Sequence, residues 1–87
     1  MKIVVLGDPD DVRGFALAGA YGRACGDPGE LETALAEAVG PEAAVGIVVL
    51  SASVAALAPA AVAAARGRAD GPIILVLPDR RIAEGAA

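Results

Sequence analysis

Val45-Gly46-Ile47-Val48-Val49-Leu50 is the stretch that decides the fold. It carries no charge and is rich in β-branched residues. It is apolar at odd and even positions alike, whereas a strand with one wet face alternates. The run therefore predicts a strand buried on both faces, at the centre of a covered parallel sheet. On its C-terminal side, Ser51-Ala52-Ser53 reads as a turn. Val54–Ala65 follows as a helix with a break at Pro59, since proline ends one turn and can start the next. Arg66-Gly67-Arg68 close that helix. Pro72–Leu77 is a second strand apolar on both faces, and Pro78 ends it.

On the N-terminal side, Gly40-Pro41 terminate a helix whose start is clearly marked. Asp27 is its N-cap and Pro28 suits its first position. Glu30 stands three residues after the cap, as in a capping box. Leu31, Ala34, Leu35 and Ala38 then recur at helical spacing. Further upstream, Lys2–Leu6 is a short apolar strand closed by Gly7-Asp8-Pro9. Asp10 and Asp11 open a helix where its dipole favours negative charge. Val12, Phe15 and Ala18 share one face of it, and Gly19 is its stop. Ala20–Cys25 reads as a short edge strand.

Strands thus alternate with helices. Crossovers of this kind imply a parallel sheet with right-handed connections. The expected fold is α/β: a small four-stranded parallel sheet, order 2-1-3-4, with helices on both faces, as in flavodoxin- and receiver-like domains. Residues 1–78 form the expected domain and Asp79–Ala87 a tail. The 87 residues leave room for one domain with a small core. The hydrophobic share of 56% excludes an ordinary disordered tail. Alanine fills 22 positions, which suits thin helices lying close on a narrow sheet.

Composition also limits function. The net charge of −4 and the two aromatic residues, Phe15 and Tyr21, argue against binding nucleic acid or an anionic membrane. The absence of histidine removes Ser-His and Cys-His nucleophile systems. The single Cys25 allows no internal disulfide and no multi-cysteine zinc site. The apolar run Ile3–Leu6 is too short for a signal or a span. Ala43–Ala65 has the length of a span, but Gly46, Ser51, Ser53 and Pro59 interrupt it. No direct membrane insertion and a cytoplasmic location are the expectations.

In an open parallel sheet, sites form at the carboxyl ends of the strands. The loop Gly7–Gly14 lacks both the dinucleotide and the P-loop spacing, and its three carboxylates would repel phosphate. Asp8, Asp10 and Asp11 are candidate Mg²⁺ ligands, against a plainer reading in which they cap a helix and face solvent. A phosphate-accepting receiver needs an aspartate after the third strand, where Ser51 stands. It also needs a late lysine, and the only lysine is Lys2. Cys25 lies near a helix N-terminus, as a reactive thiolate would, but a lone cysteine without a base is more often apolar filler. Arg66 and Arg68, and Arg80 and Arg81 in the tail, read as solvated charges. No cofactor is expected.

Met1–Asp8 followed by Gly14-Phe15-Ala16-Leu17-Ala18-Gly19 resembles the opening of the F subunit of the V/A-type (vacuolar and archaeal-type) ATP synthases. That family begins with a strand ending in Gly-Asp, followed by Gly-Phe-Arg-Leu-Ala-Gly. The two-sided strand Val45–Leu50, the helix over Val54–Arg66 and Pro72-Ile73-Ile74…Pro78 also match. The resemblance implies a non-catalytic central-stalk subunit beside a long coiled-coil subunit, inside the catalytic hexamer of a proton-translocating rotary ATPase. It would be peripheral to the membrane through that complex.

Two departures stand out. Ala16 replaces the family arginine. Asp79–Ala87 also has too few apolar residues for the further C-terminal helix of that family, which implies either a truncated chain or a short variant. Gly14, Phe15, Leu17 and Gly19 are the partner-binding candidates. The other reading of that motif packs Phe15 beneath the sheet, with the glycines allowing close approach. A different class of function is also open: a stand-alone regulatory domain binding a small ligand or Mg²⁺ at Gly7–Asp11 and Ser51–Ser53.

Overall fold

A computed structural model describes residues 2–78; the tail Asp79–Ala87, with Arg80 and Arg81, lies outside the described residues. Four strands, β1 (Lys2–Gly7), β2 (Tyr21–Ala24), β3 (Val45–Ser51) and β4 (Ile73–Leu77), form one all-parallel sheet in the order β2-β1-β3-β4. The helices are α1 (Pro9–Ala16), α2 (Pro28–Ala38), α3 (Ala52–Ala55) and α4 (Pro59–Arg66). The fold class and strand order expected from the sequence are those observed.

Handedness then fixes which helix covers which face. The chain steps outward from β1 to β2, then reverses across β1 to reach β3 and continues to β4. Right-handed crossovers place α1 on one face and α2, α3 and α4 on the other. Register sorts the side chains accordingly. Val4, Val48 and Ile74 lie in one cross-strand row, and Leu6, Leu50 and Val76 in the next. These rows meet Leu31, Ala34, Leu35 and Ala38 of α2, Val54 of α3, and Val62 and Ala65 of α4 in one core cluster. Leu31, Val48 and Leu50 have no exposed surface there. Ala34 and Ala38 of α2 and Ala65 of α4 belong to that cluster, so both helices lie close on the sheet, as the composition implied.

The opposite face carries Ile3, Ile47 and Ile73 in one row and Val5, Val49 and Leu75 in the next, with Leu77 beyond them. Among the described helices only α1 lies on it, and α1 packs on β2 and β1. The close approach is at Gly22: a Cβ there would stand 2.3 Å from Val12 Cγ1. β4 is an edge strand, and Ile73, Leu75 and Leu77 are exposed.

Local differences from the sequence reading have physical reasons. The first helix starts one residue earlier than expected, at Pro9, because Asp8 is the N-cap. It ends at Ala16, so Ala18 lies beyond it, and Gly19 at φ +92° lets the chain turn into β2. Pro59 does separate two helices. A 3₁₀ turn at Pro41–Ala43, with Ala44 left-handed at φ 55°, joins α2 to β3 and was not expected.

Candidate functional site

At the carboxyl ends of the strands, where an open parallel sheet usually binds ligands, the polar groups are occupied in holding helices. Asp8 Oδ1 accepts the Asp11 backbone N–H at 2.8 Å, which caps α1. Asp27 Oδ1 accepts the Glu30 N–H at 2.8 Å, and Glu30 Oε1 reaches back to the Gly26 N–H at 3.0 Å. These two bonds lock the start of α2 from both sides. Ser51 Oγ accepts the Val54 N–H at 3.3 Å and lies 3.5 Å from Ser53 Oγ. Ser51 is the buried polar residue of the described core, and its cap on α3 satisfies it. Among the described residues, no group of three or more acidic, cysteine or histidine side chains is arranged to hold a metal ion. Asp8, Asp10 and Asp11 sit at the start of α1, where negative charge favours the helix.

Cys25 is buried within the core cluster. Its N–H donates to the Gly7 carbonyl at 3.0 Å, and its Sγ lies 3.9 Å from the Arg23 carbonyl. Burial pushes the thiol above its usual pKa, partly countered by the Arg23 charge. A thiol held neutral is a poor nucleophile. The geometry supports the apolar-filler reading of Cys25.

A concave apolar surface lies elsewhere, on the sheet face that α1 covers in part. It is a groove of about 380 Å³. Ile3, Ile47 and Val49 form its floor, Phe15 and Gly19 border it on one side, and Leu75 on the other. Lys2 and Tyr21 stand at its mouth, with the Lys2 ammonium 4.7 Å from the Tyr21 ring centroid. Of the partner-binding candidates, the structure brings Phe15 and Gly19 to this groove. Gly14 and Leu17 do not line it. A Cβ at Gly14 or at Gly19 would meet nothing within 4 Å, so neither glycine serves a close approach. Leu17 points outward, 88% exposed. Sequence reasoning missed Ile3, Ile47, Val49 and Leu75 as groove residues because it treated that face as covered. The available signal was the lone bulky Phe15 on a short first helix.

Fold and surface together define a small parallel α/β domain. Its strand-end polar groups cap helices, and its clearest open feature is apolar. The chain belongs to the ATP synthase (F/14-kDa) subunit family, whose model matches residues 3–86. It is thus a subunit type of the V/A-type rotary ATP synthases. No curated protein matches the chain. No helix among the described residues is long and apolar enough to cross a membrane.

Proposed function

We infer that this protein is a non-catalytic central-stalk subunit of a V/A-type proton-translocating rotary ATPase. It binds the coiled-coil stalk subunit and helps couple ATP turnover in the catalytic hexamer to ion transport. It carries no cofactor, and it works in the cytoplasm, held at the membrane through the complex. The observation that carries this reading is the family match over residues 3–86, nearly the whole chain. The strand-end loops support it, since their side chains are engaged in helix capping rather than aimed at a substrate.

The test is to purify the complex from the native source with this chain tagged, and to assay ATP hydrolysis with and without it. Recovery of the coiled-coil and nucleotide-binding subunits is expected, with proton pumping per ATP falling when the chain is removed. Recovery of the chain alone, with pumping unchanged, would end the reading.

A further inference from the structure

We draw no further inference here: the strongest candidate, the apolar sheet face beside α1 with the uncharged edge strand Ile73–Leu77 along its border, carries nothing, because nothing in the structure shows what covers it.

Discussion

The two faces of the sheet are built from the same residue types and end in different states. Along β3, Val48 and Leu50 point to one side and Ile47 and Val49 to the other. The first pair is sealed beneath α2, α3 and α4. The second lines a groove. Aliphatic content does not distinguish these sides; the number of crossovers landing on each does. The lesson is that a two-sided apolar strand reports a place within a sheet and an expected cover. It does not report that the described chain supplies the cover.

Substitution on the sealed face should have the largest effect. Leu31→Ala removes a side chain with no exposed surface, and a cavity there should cost about 2–5 kcal/mol in denaturant melts. Leu75→Ala on the open face, already 44% exposed, should cost less than about 1 kcal/mol. Equal losses at the two positions would break the comparison.

Next comes the close contact of Gly22 beneath α1. Gly22→Ala drives a methyl into Val12, and overpacking of this kind costs about 1–3 kcal/mol. Val12→Ala in the same chain should recover part of that loss. Absence of any recovery would mean that α1 is not seated on β2 as described.

Cys25 sharpens the comparison through pH. Its folded-state pKa is raised above the usual 9.0 by burial, so folding favours the protonated thiol. That stabilisation is fully present below the unfolded-state value and is lost as pH rises through the raised folded value. Melts above pH 9.0 should therefore show falling stability, and Cys25→Ala should remove that component. A thiol-specific reagent should also label the native protein slowly at neutral pH. Rapid labelling would contradict the sealed core.

The smallest effect is expected at the strand-end carboxylates. Added Mg²⁺ should leave the melting temperature unchanged, and Asp10→Asn should not alter that. A metal-dependent rise abolished by the substitution would favour the small-ligand reading and give the molecule a second functional region.

Much of the scaffold was legible in the sequence because local chemistry fixed it. The two-sided run Val45–Leu50 gave the central position of β3. Asp27, Pro28 and Glu30 gave the start of α2, and Pro59 the division between α3 and α4. The end of α1 was harder to read, because Leu17 and Ala18 continue an apolar pattern after hydrogen bonding has turned the chain toward Gly19. The left-handed Ala44 left no mark, since alanine gives no hint of positive φ. The groove was illegible for a different reason. Ile47, Val49 and Leu75 show the same aliphatic character whether or not a helix lies above them. Only the crossover geometry reveals that, among the described helices, α1 alone lies on that face. One motif singled out Gly14, Phe15, Leu17 and Gly19 together, and the structure brings Phe15 and Gly19 of it to the groove.

The placement of β1 has a consequence for how the chain assembles during synthesis. Of the four described strands it is made first, yet it pairs on one side with β3, so that Leu6 must wait for Leu50. Such distant partners cost loop-closure entropy before any contact is gained, which slows folding relative to helical bundles. Until β3 emerges, β1 has only the short β2 beside it, and its aliphatic side chains have no sealed core to enter. The nascent chain must pass through that exposed interval each time it is made, and the early helix α1, resting on β1 and β2, is the first shelter the fold provides.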